Sequence, residues 1–323
     1  MGVVMARRNF RQMSLVDQFY NIRPKRCEHL EALSKCIEWA ALQKLLDPIY
    51  SSVEGAASYP VLCYVRILLL QQWYGLSDRE AELSVEDSLS FRRFVGIPLE
   101  EKVPDHTRIW AFRQVLAEYG LDKQLFEEIN RQIEAQGLLV KKGTLIDATV
   151  IPAAAKPPKG NDGALSDVDP EAGWTQKNGV STYGYKGHAG VDEGSGIGRA
   201  ATFTSADVHD SVEFKNLVLG DEAAVYADKG YPSEDHRAFL AGKGIADGIM
   251  HKAVRGKPLK NWQVWFNRAV APIRAGVERT FARMKVHHGF TRARYFGLAR
   301  NACGFFLLLT AMNIARAASL RAV

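Results

Sequence analysis

The stretch TLIDATVI at Thr144–Ile151 is a run of β-branched and apolar residues with a single acid, Asp147, in its middle. Such a run predicts a strand that is buried on both faces. A carboxylate inside a buried strand is costly unless an arginine, hydrogen bonds or a metal ion compensates its charge. Asp147 is therefore the first candidate for a residue with a chemical role.

After this strand, the sequence first alternates apolar and polar residues, as in strands, and then mixes helix and strand periods. Alternating apolar and polar residues predict two antiparallel strands, at Tyr183–Val191 and Arg199–Ser205. The rest of the chain predicts helices at Ser211–Leu219, Ser233–Lys243, Trp262–Lys285 and Leu298–Arg316, with strands at Ala223–Ala227 and Ile245–Met250. This order predicts an α/β fold, in which a mixed sheet of the ribonuclease-H-like type is flanked by helices.

The N-terminal part of the chain has a different character. Helical periodicity runs through Cys27–Leu46 and Val61–Tyr74, and Ser77 to Glu80 has the S-x-x-E pattern of a capping box. Asp105 is the predicted N-cap of a helix that carries Arg108 and Arg113. Short helices ending in a basic, aromatic one outline a helix-turn-helix DNA binder, but an ordinary helical bundle explains them equally well.

These patterns predict two domains. Residues 1–140 form a helical region for DNA binding or dimerisation, and residues 141–323 form a catalytic domain with basic C-terminal helices. Within the second domain, residues 153–180 are rich in Pro, Gly, Lys and Asp, which predicts a long exposed insertion.

Composition excludes several classes of protein. The 323 residues are 47% hydrophobic and 24% charged, which excludes a wholly disordered, collagen-like or disulfide-scaffold protein. The four cysteines are scattered, as in a cytosolic protein with reduced thiols. The most apolar stretch, Ala302–Met312, is too short to span a bilayer and predicts a buried helix.

Charge is concentrated at the C-terminal end. Residues 251–323 hold fourteen Lys and Arg but one acid, Glu278, whereas residues 201–250 hold four Lys and Arg and nine acids. Such a basic block indicates a polyanion, an acidic membrane or an acidic partner. Aromatic residues lie among its basic residues, which favours a folded nucleic-acid surface over lipid binding.

Three acids could form one site. Asp228 follows the predicted strand Ala223–Ala227, and ligands in α/β sheets gather at the carboxyl ends of strands. If Asp147, Asp228 and Glu278 meet at a sheet edge, their oxygens would hold two Mg²⁺ or Mn²⁺ ions. Taken one at a time, each acid also has a structural explanation. Asp147 could be a salt-bridged acid, Asp228 a turn former, and Glu278 the i,i+4 partner of Arg274.

Several motifs occur in a familiar order. They are LIDAT around Asp147, GYKGH at Gly184–His188, YADKGY around Asp228, and R-x-x-x-E-x-x-x-x-x-x-K from Arg274 to Lys285, preceded by RILLLQQWYGLSDRE, DSLSFRRFVG and VPDHTRIWAFR and followed by RARYFGLARNA. Together they resemble the DDE transposases of bacterial insertion sequences, most closely the insertion-sequence-five family. One position departs from the related signature, because Ala271 stands where relatives carry a tyrosine that helps to hold the DNA end.

The resemblance implies a DNA transposase in a prokaryotic cytoplasm, with Asp147, Asp228 and Glu278 as catalytic residues and ligands of two Mg²⁺ or Mn²⁺ ions. It implies strand cleavage at the terminal inverted repeats and transfer into target DNA, by a homodimer on double-stranded DNA and without a membrane. A metal nuclease that joins nothing and a catalytically silent DNA-binding protein remain alternatives. The predicted DNA-contacting residues are Arg274, Lys285, Lys229, Arg279, Arg108, Arg113, Arg292 and Arg294.

Overall fold

The computed structural model describes residues 6–7, 25–49, 57–158, 165–177 and 179–321. It divides into two compact units. The first contains the described residues up to Gln136 and those from Phe306 onward, and the second is Gly137–Phe305. The second division, between Phe305 and Phe306, falls within the last helix, and the predicted domains 1–140 and 141–323 stay a prediction. The C-terminal half of this helix packs in the helical unit, where Trp73 Nε1 donates to the Ala311 carbonyl over 2.8 Å.

The first unit is helical, as predicted. Its helices are α1 (Lys25–Ser34), α2 (Trp39–Leu46), α3 (Val61–Tyr74), α4 (Asp78–Asp87), α5 (Leu89–Val95), α6 (His106–Glu118) and α7 (Leu121–Ala135). A 3₁₀ turn, Asp47–Ile49, follows α2, and two-residue strands β1 (Ala6–Arg7) and β2 (Ala57–Ser58) pair in parallel. Both predicted caps are confirmed: Ser77 and Glu80 form a capping box, and the Asp105 carboxylate accepts the Arg108 N–H.

The periodic stretch Cys27–Leu46 is two helices rather than one. Glutamine side chains at the C-terminal end of α7 supply bonds where the helix breaks: Gln136, directly after α7, donates from Nε2 to the Cys36 carbonyl over 2.8 Å, and Gln132 Oε1 accepts the Glu38 N–H over 2.8 Å. These partners lie about a hundred residues away in sequence, so the hydrophobic period alone could not locate the break.

The second unit is built on a mixed sheet. Its strands are β3 (Thr144–Pro152), β4 (Gly173–Lys177), β5 (Val180–Asp192), β6 (Gly198–Ser205), β7 (Ala224–Ala227) and β8 (Ala246–Ile249). The order is β4-β5-β3-β7-β8, with β6 also paired to β5. The central strand β3 is antiparallel to β5 and parallel to β7. The predicted mixed sheet flanked by helices is confirmed.

Helices cover this sheet. They are α8 (Glu234–Gly242), α9 (Asn261–His287) and the start of α10 (Leu298–Arg321), and a 3₁₀ helix, Asp210–Leu217, occupies most of the region predicted as an α-helix at Ser211–Leu219. Ile146 and Val225 of the sheet, Phe214 of the 3₁₀ helix and Leu240 of α8 share one apolar cluster. The apolar helix α10 is long and hydrophobic enough to cross a membrane, but 61% of its most apolar window is buried in the protein, as in a core helix.

The described residues of the insertion 153–180, from residue 165 to Lys177, are less exposed than predicted. The C-terminal part of this insertion forms β4, which pairs antiparallel with β5, and Asp169 just before it is fully buried. The Asp169 carboxylate accepts hydrogen bonds from the Tyr185 hydroxyl (2.5 Å) and the Gly297 N–H (2.9 Å). Tertiary bonds therefore anchor a segment whose composition is typical of a loop.

Candidate active site

Two aspartates lie side by side at the centre of the sheet. The parallel pairing of β3 and β7 ends with Ile146 opposite Ala227; Asp147 is the next residue of β3, and Asp228 directly follows the end of β7. Neighbouring strands are roughly 4.8 Å apart, so this register brings the two carboxylates close together. Asp147 accepts a hydrogen bond from the Ala148 N–H (2.8 Å), and Asp228 accepts one from the Gly230 N–H (2.7 Å).

Arg274 joins the third acid to this pair. Its Nη1 donates to Asp147 Oδ2 over 2.9 Å, and its Nη2 forms an ion pair with Glu278 Oε1 one turn further along α9. Asp147 and Arg274 are each 16% exposed in their side chains, whereas Glu278 is 53% exposed. One guanidinium thus connects a strand-borne acid with a helix-borne acid.

The helix α9 can approach β3 closely because of a glycine. A Cβ atom added to Gly276 would lie 2.5 Å from Leu145 Cδ1, the side chain two residues before Asp147. Buried apolar residues of α9, Val270, Val277 and Met284, hold the same face of the helix in the core. Gly276 lies between Arg274 and Glu278 in sequence, so the close contact fixes the distance of both from the sheet.

The environment of Asp147 disfavours its charged form. Burial is the largest influence and raises its pKa above the ordinary value, and the negative charge of Asp228 acts in the same direction. The Ala148 N–H, Arg274 and Lys177 lower this pKa, but they only partly offset the burial. The two close carboxylates repel each other, so a nearby cation stabilises their charged forms, and Arg274 provides part of this stabilisation.

The donor set suits a hard divalent ion. All three acids offer oxygen ligands, which Mg²⁺ and Mn²⁺ prefer, and two of them come from adjacent strands. Within the described ranges, however, no three His, Cys, Asp or Glu side chains are grouped so that they could hold a metal ion. The physical reason is the position of Arg274, whose guanidinium occupies the space between Asp147 and Glu278. The residues therefore fit an ion in chemistry, while in the structure Arg274 bridges Asp147 and Glu278.

Comparison with known families decides the identity of this site. The family described as Transposase DDE domain matches residues 139–314, more than half of the chain. The chain belongs to the DDE transposase family. The family described as Transposase domain (DUF772) matches residues 17–115. No solved structure matches the chain.

The protein is thus a DNA transposase, an enzyme of the polynucleotidyl transferase and nuclease type. Transposases with this domain generally use divalent metal ions and act on DNA. The narrower assignment to the insertion-sequence-five family stays a prediction.

Two of the predicted DNA-contacting residues in the second unit of the transposase, Lys285 and Arg292, contact backbone carbonyl oxygens near the site. Lys285 Nζ lies 3.5 Å from the Val150 carbonyl of β3, and burial lowers its pKa. Arg292 donates to the carbonyls of Ala153 (2.8 Å) and Ala154 (2.9 Å) just beyond β3. Lys229, Arg279 and Arg294 are exposed, as a phosphate contact requires.

The structure corrects the prediction that Arg113 contacts DNA. The sequence placed it among the DNA contacts, but it is 3% exposed and lies inside the helical unit of the transposase. Its guanidinium pairs with Asp78 and donates to Gln71 Oε1 over 3.0 Å, which explains why a charged residue is tolerated there. Arg108 is about half exposed and stays a predicted DNA contact.

Sequence reasoning missed two residues beside the aspartates. Lys177 of β4 is near enough to influence the pKa of both Asp147 and Lys285, yet it lies in the segment predicted to be an exposed insertion. No local signal could have found it, because its position depends on the pairing of β4 with β5. Tyr231 was visible only as the last letter of the YADKGY motif, three residues after Asp228.

Proposed function

We propose that this transposase cuts DNA at the terminal inverted repeats of its own insertion sequence and joins the freed 3′ end to target DNA. The observation that carries the proposal is the parallel pairing that ends at Ile146 and Ala227, directly before Asp147 and Asp228, with Arg274 connecting Asp147 to Glu278. The geometry supports a site at which three acids and one arginine act on a single phosphodiester.

In this proposal Asp147, Asp228 and Glu278 are the catalytic residues and would hold two Mg²⁺ or Mn²⁺ ions. When bound, such ions activate the attacking water or 3′-hydroxyl and stabilise the leaving oxygen. Arg274 turns from Glu278 to a phosphate beside the scissile bond, because a phosphodiester offers it the same bidentate geometry as a carboxylate. This exchange frees Glu278 as DNA arrives.

Positive charge around the site supports DNA as the substrate. Lys229 follows Asp228 directly and is exposed, and Lys285 lies on α9 near the end of β3. Arg279, Arg292 and Arg294 extend the basic surface, and Arg108 would contribute to recognition of the repeat from the helical unit. Because two element ends must be joined to one target, we expect the active form to be a homodimer on DNA.

The test uses a labelled duplex of the element's own end together with a supercoiled target plasmid. We expect Mg²⁺-dependent cleavage at the repeat boundary, followed by joining of the labelled end to the plasmid. Asp228→Asn should abolish both products while end binding persists. Asp235→Asn is the matched control, because this acid is 71% exposed and pairs with Lys215 at the surface.

Three outcomes would count against the proposal. Cuts away from the repeat boundary would exclude terminal-repeat recognition, and equal cutting in EDTA would exclude the ions. Cleavage at the boundary without any joined product would instead assign the protein to the metal nucleases that do not transfer strands.

A further inference from the structure

The long helix α9 turns one of its sides toward the candidate active site. On this side, Arg274 Nη1 donates to Asp147 Oδ2 over 2.9 Å, and Lys285 Nζ lies 3.5 Å from the Val150 carbonyl. Both contacts hold cations of α9 against β3. An element end whose scissile bond lies at the acids would therefore meet this side of the helix.

A second set of cations lies on another side of the same helix. The exposed residues of this outward face stand between about 120° and 180° around α9 from Arg274, at about 100° per residue. Arg279 Nη2 lies 3.7 Å from the position that a Cβ atom on Gly276 would occupy, and Gly276 itself stands about 200° from Arg274. The members of the outward face are Trp265, Arg268, Arg279 and Arg283.

The three arginines of the outward face have no acidic partner. Within the described ranges, none of their side chains forms an ion pair or a hydrogen bond. The single acid of α9, Glu278, pairs on the other side of the helix. Exposed cations elsewhere do pair, as Arg131 does with Glu128 and Lys215 with Asp235. A row of unpaired like charges repels itself until a polyanion binds to it.

The outward face also carries an exposed aromatic ring. Trp265 is 71% exposed, although tryptophan side chains are on average highly buried in proteins. An exposed tryptophan is typical of a binding surface, where its ring packs against a partner. The neighbouring guanidinium groups have the planar geometry that matches phosphate oxygens. The composition of the face therefore fits the backbone of a nucleic acid.

The angle between the two sides of α9 assigns them to different segments of DNA. A duplex whose phosphate contacts Arg274 lies at the edge where β3 and β7 bring the two aspartates together. To reach Arg283 as well, about 180° away, this duplex would have to wrap around the helix, and bending DNA costs energy. A second duplex meets the outward face without bending.

We propose that the outward face of α9 binds the target duplex, while the side carrying Arg274 and Lys285 holds the element end. The inference rests on the proposed function, because only strand transfer brings a second duplex to the protein. Contacts with phosphates position a duplex but carry no information about its bases. The face would therefore accept target DNA of many sequences.

The experiment separates the end from the target in the full chain. Arg268→Ala with Arg283→Ala should cut a labelled end duplex at the wild-type rate but join it at least about tenfold more slowly when plasmid is limiting. Excess plasmid should restore joining, because the defect is in target affinity. Anisotropy on protein that already holds an unlabelled end duplex should show about tenfold weaker binding of a random-sequence duplex.

Two further variants complete the design. Arg268→Lys with Arg283→Lys should recover most of the joining and of the random-duplex binding, because the charge that neutralises the phosphates is kept. Lys215→Ala with Lys243→Ala removes two charges from the same unit, where both cations lie over Phe239. We expect this control pair to cut and join as wild type does.

Four results would overturn the inference. Unimpaired joining by the double alanine variant of α9 at limiting plasmid would exclude the outward face, and equal losses of cutting and joining would assign it to the element end. An equal loss in the control pair would make net charge the cause. A changed sedimentation coefficient of the DNA-free variant would mark an interface between copies. If wild type cuts the end but never joins it, strand transfer fails, whereas random-duplex binding still tests the face.

Discussion

At the residue scale, the most informative group is the Arg274 guanidinium. It compensates the mostly buried Asp147 and the more exposed Glu278 at the same time, so it stabilises the acidic site before any substrate arrives. The bond to Asp147 contributes more than the bond to Glu278, because water screens the exposed pair. Arg274 therefore has a structural role in addition to the proposed contact with phosphate.

Arg274→Ala should lower the free energy of unfolding by about 3 kcal/mol, because it leaves the Asp147 charge poorly compensated. Arg279→Ala is the control on the same helix: Arg279 is exposed, and its loss should change the free energy by less than about 0.5 kcal/mol. Urea unfolding of the two variants measures the difference. Equal and small losses would show that Asp147 does not depend on its arginine.

His188 gives the protein a predictable response to acid. Burial lowers its pKa from 6.5 to about 4, partly offset by the charges of Asp210 and Glu213. Between these pH values the unfolded chain binds a proton that the folded chain excludes, so stability falls as the pH drops through this window. The contribution of this one group is about 3 kcal/mol.

The comparison with His188→Gln isolates that contribution. The histidine Nε2 lies 2.9 Å from Thr204 Oγ1, and a glutamine amide can replace this contact without titrating. We expect the stability of wild type to fall more steeply than that of the variant between pH 6.5 and pH 4 in urea unfolding. Parallel curves would show that His188 is not held neutral.

At the scale of secondary-structure elements, the sequence predicted those strands and helices that local sequence pattern determines. The strands around Asp147 and Asp228 and the long helix carrying Glu278 were found because their periods and flanking residues are unambiguous. The sequence did not predict that α1 ends at Ser34 or that Gly173–Lys177 forms the strand β4. The hydrogen bonds that determine both features come from other segments of the chain. For the site, residue type indicated the three acids, but the bridging position of Arg274 depends on how closely α9 approaches β3.

That approach can be tested at Gly276. Gly276→Ala gains helix propensity, but its new Cβ would meet Leu145 at 2.5 Å and push α9 away from β3. Gly304→Ala is the matched control in α10, where an added Cβ meets nothing within 4 Å. We expect Gly276→Ala to be about 1–2 kcal/mol less stable than Gly304→Ala and to lose cleavage activity. Equal stabilities would mean that Leu145 moves aside without cost.

At the scale of the whole molecule, charge is unevenly distributed along the chain. Residues 201–250 are acidic and residues 251–323 are basic, although they belong mostly to the same folded unit. On α9 the basic residues Arg268, Arg279 and Arg283 are exposed, together with Trp265, which is 71% exposed. Such a surface suits a phosphate backbone, because arginines neutralise it and an aromatic ring can stack beside it.

The salt dependence of DNA binding measures how many of these charges contact phosphates. Each lost contact reduces the slope of log K against log salt concentration by about one, so Arg279→Ala with Arg283→Ala should reduce it by about two. The control pair is Lys215→Ala with Lys243→Ala in the acidic region, where both cations lie over Phe239. We expect that pair to leave the slope unchanged. If both pairs reduced the slope equally, net charge rather than the basic face of α9 would govern binding.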